Sequence, residues 1–236
     1  MNFFIIFHFQ DLKNNKFNVI NTHSLFHKIK NLSLSFIFVY SLIFLWVMLI
    51  LFPVDILITK VFHFESIKSL INESQNKIVN YPFYLVVFIG PFAEELLFRL
   101  ALRLGRFNVA IFLGVFIYFI FGGSITKFDI YDFYYLYIIL ISLIVAIVTY
   151  FCLSKKNINF LEQKKWWLII FSIVLFGLIH IHNIKILHWQ LTLFYPFFVM
   201  PQIIMGYFIT NLRLKYGFLW GLLLHILING SSFLLK

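Results

Sequence analysis

The sequence predicts an all-α protein, a polytopic transmembrane helical bundle of about seven spans. Three observations carry this. Hydrophobic residues make up 62% of the chain and charged residues 12%, about half of the ~25% that a soluble domain uses to cover its surface. The mean hydropathy is +0.94. The apolar residues also fall into runs near the ~20 residues that a helix needs to cross the hydrocarbon core, separated by short polar joints such as SKKN at Lys155 and NLRLKYG at Arg213. With 10 Gly and 5 Pro in 236 residues, the composition is neither collagenous nor disordered.

In chain order the expected spans are 32–52, 81–103, 107–122, 131–153, 166–184, 190–211 and 216–235. The third is short, and the sixth holds Pro196 and Pro201, so a kink or split is expected there. The longer joint, 53–80, mixes charged and apolar residues and suits a loop with a short interfacial helix. This gives an N-terminal cytoplasmic segment (1–31), a first span with an extracytoplasmic joint (32–80) and a core (81–236). No internal repeat is evident. The opening MNFFIIFHFQ has no basic start and no small-residue cleavage site, so it is not read as a signal peptide.

The net charge of +10 does not point to nucleic acid, because no basic cluster is longer than two residues. The basic residues flank the apolar runs instead, as anchors on an anionic leaflet do. Alternate joints are unequal. Twelve Lys and Arg fall in one set (Lys13, Lys16, Lys28, Lys30, Arg103, Arg106, Lys155, Lys156, Lys164, Lys165, Arg213, Lys215) and six in the other. Cytoplasmic retention of basic residues then predicts a multi-pass cell-membrane protein with a cytoplasmic N-terminus and an extracytoplasmic C-terminus. The single cysteine, Cys152, has no disulfide partner and no neighbour at metal-ligand spacing.

Charge inside a span costs at least ~2.5–3.5 kcal/mol per group at the centre and usually marks function. The second run carries Glu94, Glu95 and Arg99 in PFAEELLFRL. Glu95 and Arg99, four apart, share a helix face and can pair. Glu94 points about 100° away, which leaves it for another task, with general-base chemistry the natural one for a carboxylate. The competing reading is a structural ion cluster that fastens helices.

Two further runs carry polar groups. LFGLIHIHN holds Phe176 and His180, and GLLLHILING holds His225 and Asn229, four apart on one face. A lone His on an apolar helix is often a packing residue, and a His/Asn pair is often an interhelical clasp. His182 and His188 sit nearer the interface, where a histidine is cheap. At 1.5 Å per residue from the expected cytoplasmic ends, Glu94, His225 and His180 lie at depths of about 13, 13 and 21 Å, so one shared site near mid-membrane is expected.

Taken together, EExxxR (Glu94, Glu95, Arg99), FxxxH (Phe176, His180) and HxxxN (His225, Asn229) resemble, in order and placement, the motifs of the CAAX protease and bacteriocin-processing (CPBP, Abi-type) intramembrane endopeptidases. Pro91 before the Glu pair and the stretch PQIIMGYFITNLRLKYGFLWGLLLH add to the likeness, which covers roughly 80–235. The resemblance implies that Glu94 and His180 activate a water for attack on a peptide carbonyl. It further implies that His225 and Asn229 stabilise the oxyanion, with Glu95 and Arg99 in support. The substrate would be a peptide or protein in the membrane, at a lipidated or embedded end. Some family accounts invoke a metal. No HExxH is present, but Glu94, His180 and His225 are candidate zinc ligands; the metal-free Glu/His mechanism is preferred. Some members have eight spans, against seven expected here. Two rival readings are a non-catalytic bacteriocin-immunity or scaffold protein of the same fold, for which Glu94 is dispensable, and a proton-coupled transporter, which the absence of an inverted repeat disfavours.

Overall fold

The helical expectation holds throughout the computed structural model, which describes residues 24–64, 66, 69, 81–123, 132–183, 192 and 194–235. The elements are α1 (Leu25–Trp46), a π-helical turn (Val47–Leu51), α2 (Phe52–Lys60), a second π-helical turn (Leu85–Ile89), α3 (Gly90–Phe98), a 3-10 turn (Leu100–Leu102), α4 (Arg106–Gly122), α5 (Phe133–Cys152), α6 (Lys155–Gln163), α7 (Lys165–Ile179), a 3-10 turn (His180–Asn183), α8 (Tyr195–Tyr216) and α9 (Phe218–Leu234). Among the described residues, three helical runs are long and apolar enough to cross a membrane: Leu25–Lys60, Phe133–Cys152 and Tyr195–Tyr216. Arg106–Gly122, Lys165–Ile179 and Phe218–Leu234 are shorter apolar helices.

Several boundaries differ from the expected runs. The first, 32–52, lies inside a helical stretch that starts at Leu25, capped by the Ser24 hydroxyl accepting from the His27 N–H at 3.3 Å, and runs on to Lys60. Pro53 does not end it: it sits at the second position of α2, directly after the π turn, and the helix continues through it. The joint 53–80 therefore begins in helix, and 70–80 lie outside the described residues. The second run is not one uniform helix: a π turn interrupts it at Leu85–Ile89 and its α-helix ends at Phe98, with Arg99 off helical geometry at φ −124°. Pro201 does not split α8, which stays helical to Tyr216. His188 lies outside the described residues.

The chain divides into two units, one formed by Phe88–Ser172 and the other by the flanking stretches up to Val87 and from Ile173. In the first, α4 and α5 pack together, and the Tyr134 hydroxyl donates to the Phe121 carbonyl at 2.8 Å. Much of α5 is apolar and exposed, including Phe133, Tyr137, Leu140, Ile147 and Phe151. A surface of that kind is stable against lipid, not water. Helix α6 is set off by a capping box between Ser154 and Asn157. In the second unit, α8 packs on α1 and α9, and Leu51, Ile58, Tyr195 and Phe198 form a buried apolar cluster.

Candidate active site

The acidic motif belongs to Phe88–Ser172 and the histidine motifs to the flanking unit. On α3, Glu95 and Arg99 are both fully buried, and the Arg99 Nη1–H donates to Glu95 Oε1 at 2.6 Å. The pairing read from the i, i+4 spacing is therefore present. Arg99 closes the helix, its N–H bonded to the Glu95 carbonyl at 3.1 Å, so its charge also sits where the helix dipole favours a cation. The neighbouring Phe98 carbonyl accepts from the Ser172 hydroxyl at 2.5 Å, which ties the C-terminal end of α3 to α7. Glu94 is half-buried on another face of the helix.

In the other unit Phe176 is the hub. It is fully buried. Its ring meets that of His180 edge-on at 4.8 Å and that of His225 at 5.7 Å, so one aromatic side chain orients both histidines. His180 opens the 3-10 turn that continues directly from α7, near the end of the expected span. Its Nδ1 is 2.7 Å from the Phe176 carbonyl. A carbonyl only accepts, so Nδ1 carries the proton, and Nε2 is left as the basic nitrogen of the neutral ring.

His225 is fully buried on α9. One turn on, the Asn229 Nδ2–H donates to the Val86 carbonyl at 3.1 Å, so the interhelical clasp weighed for this residue is formed, by one of its two amide hydrogens. Two glycines let the histidine helices approach α8. A Cβ on Gly177, three residues before His180, would lie 2.3 Å from Ile203 Cγ1. On Gly221, four before His225, it would lie 3.0 Å from Arg213 Cβ.

Sequence reading missed the contribution of α1. The Tyr40 hydroxyl contacts the Ser231 hydroxyl at 2.6 Å and donates to the Ile228 carbonyl at 3.2 Å, next to Asn229 in the chain. No sequence pattern signals this, since Tyr40 sits in an ordinary apolar run. Among the described residues no three His, Cys, Asp or Glu side chains are grouped as a metal ion would require.

No curated protein and no solved structure matches the chain. The family model for Type II CAAX prenyl endopeptidase Rce1-like matches residues 77–231, well over half of the 236, and the match spans all three motifs. The chain therefore belongs to the Rce1-like family of type II CAAX prenyl endopeptidases, as the motif resemblance implied.

Proposed function

We propose that the chain is an intramembrane endopeptidase that hydrolyses a peptide bond near the C-terminus of prenylated, CAAX-type substrates, with Glu94 and His180 activating the water. The observation that carries the reading is the state of His180. With its Nδ1–H held by the Phe176 carbonyl, the ring has a defined orientation that leaves Nε2 as the nitrogen for proton transfer.

In the proposed reaction the water gives a proton to the Glu94/His180 pair while its oxygen attacks the scissile carbonyl carbon. The carbonyl π electrons move to oxygen. His225 and the second N–H of Asn229 donate to that oxyanion, a role for donors held in place beforehand. Collapse breaks the C–N bond, and the proton held by the pair goes to the departing amine. One water has then become a new carboxyl and a new amino terminus. Glu95 and Arg99 hold the end of α3 that presents Glu94. A prenyl chain suits an intramembrane enzyme, because each buried CH2 adds ~0.8 kcal/mol to partition into the bilayer, which delivers the adjoining peptide at membrane depth.

Mass spectrometry of a farnesylated peptide ending in Cys-aliphatic-aliphatic-X, incubated with the protein in lipid nanodiscs, tests this. The expected result is release of the C-terminal tripeptide by the wild type and none by Glu94→Gln or His180→Ala, with both variants folded. Equal cleavage by Glu94→Gln and wild type would refute the mechanism; no cleavage by the wild type would favour the non-catalytic immunity or scaffold reading.

A further inference from the structure

Inside a bilayer a helix carbonyl that loses its donor cannot turn to water, so each proline within a span raises the question of what replaces the missing N–H. Two prolines in this chain receive the same answer.

Pro201 lies inside α8. In an α-helix the N–H of residue 201 would serve the carbonyl of residue 197. That carbonyl, of Phe197, instead accepts from Trp46 Nε1–H at 3.3 Å, and the indole stacks on the Phe197 ring with centroids 6.1 Å apart. Trp46 is the last residue of α1, 151 positions away.

Pro91 follows the π turn Leu85–Ile89. A π turn bonds at a spacing of five, as the Phe52 N–H does with the Val47 carbonyl in the other one. At that spacing the N–H of residue 91 is due on the Val86 carbonyl, and proline has none. The Val86 carbonyl accepts instead from Asn229 Nδ2–H at 3.1 Å, 143 positions away.

We infer that Asn229 and Trp46 are surrogate amides: positioning residues that supply, from other helices, the hydrogen bonds that Pro91 and Pro201 cannot make. Asn229 then has a task separate from any oxyanion contact, carried by one amide hydrogen and leaving the other for chemistry. Trp46 gives the helix before the family-matched segment a defined role, which is to complete the backbone of α8, the helix that packs on α9 and its His225. The two prolines can keep their local shape, the π turn in one case and an unbroken α8 in the other, because the donors are built in elsewhere.

A crossed set of variants in the full-length protein tests the pairing, with thermal unfolding in nanodiscs as the readout. Asn229→Ala and Trp46→Phe each leave a part-buried carbonyl without its donor, and each should lower Tm by ~2–12 °C. Restoring an N–H by Pro91→Ala should recover at least half of the Asn229→Ala loss and none of the Trp46→Phe loss. Pro201→Ala should do the reverse. If a single variant fails to accumulate, the return of folded protein in the matched double variant, and not in the mismatched one, is the same result. Proline replacements that shift both variants alike, or neither, overturn the inference. Because the readout is stability, a failed cleavage assay leaves this result standing, and an additive cycle leaves the protease reading standing.

Discussion

Replacing Glu95 by Met takes the carboxylate away from the Arg99 guanidinium in a site where both partners are fully buried. At 2.6 Å and an effective dielectric of ~20, the attraction lost is about 6 kcal/mol. Much of that attraction only offsets the cost of removing two charges from water, so the pair as a whole contributes little net stability. The cost of leaving one partner alone is different, ~3–5 kcal/mol. In a chain of this size that corresponds to a fall in Tm of roughly 6–20 °C. Arg99→Met should cost a similar amount by taking the guanidinium away from the buried carboxylate. The double variant Glu95→Met/Arg99→Met removes both charges and keeps side-chain volume, so it should lie nearer the wild type than either single variant. Folded yield by fluorescence-detected size exclusion, with Tm in nanodiscs, reads all four corners of the cycle. If the double variant loses the sum of the single losses, or the singles lose nothing, the pair is not the fastening for α3 proposed above.

Two other outcomes follow from the geometry. Gly177→Ala places a Cβ 2.3 Å from Ile203 Cγ1 and should cost ~1–3 kcal/mol by overpacking; adding Ile203→Ala should return part of the loss, which thermal unfolding of the two variants checks. For orientation, in a Cys152→Ser background, cysteines placed at Lys155 and Lys215 should label from the cytoplasmic side and one at Lys60 from the opposite side; labelling of Lys155 and Lys60 positions from one side would overturn the basic-residue argument.

The all-α membrane class was legible because it depends on composition and run length, and the Glu95–Arg99 pair because an i, i+4 spacing fixes a local neighbour whatever the rest of the fold does. Gathering Glu94, His180, His225 and Asn229 as site candidates needed only the cost of placing polar groups in lipid. Other features were hidden. Pro53 looked like an end of helix and is an early position within one. His180 looked like a residue of a regular α-helical run and opens a 3-10 turn. Phe176 was a motif letter and is the ring that both histidines touch.

By itself, then, the sequence determined that the chain is helical and of membrane class, and it singled out the few polar residues proposed here to carry its chemistry, since hydropathy and helical period act over one or two turns. Only the tertiary structure decided where the amide of Asn229 and the indole of Trp46 go. Their acceptors lie 143 and 151 residues away, at carbonyls from which a proline one turn on withholds the usual hydrogen bond, and no local spacing records which distant helix will supply it.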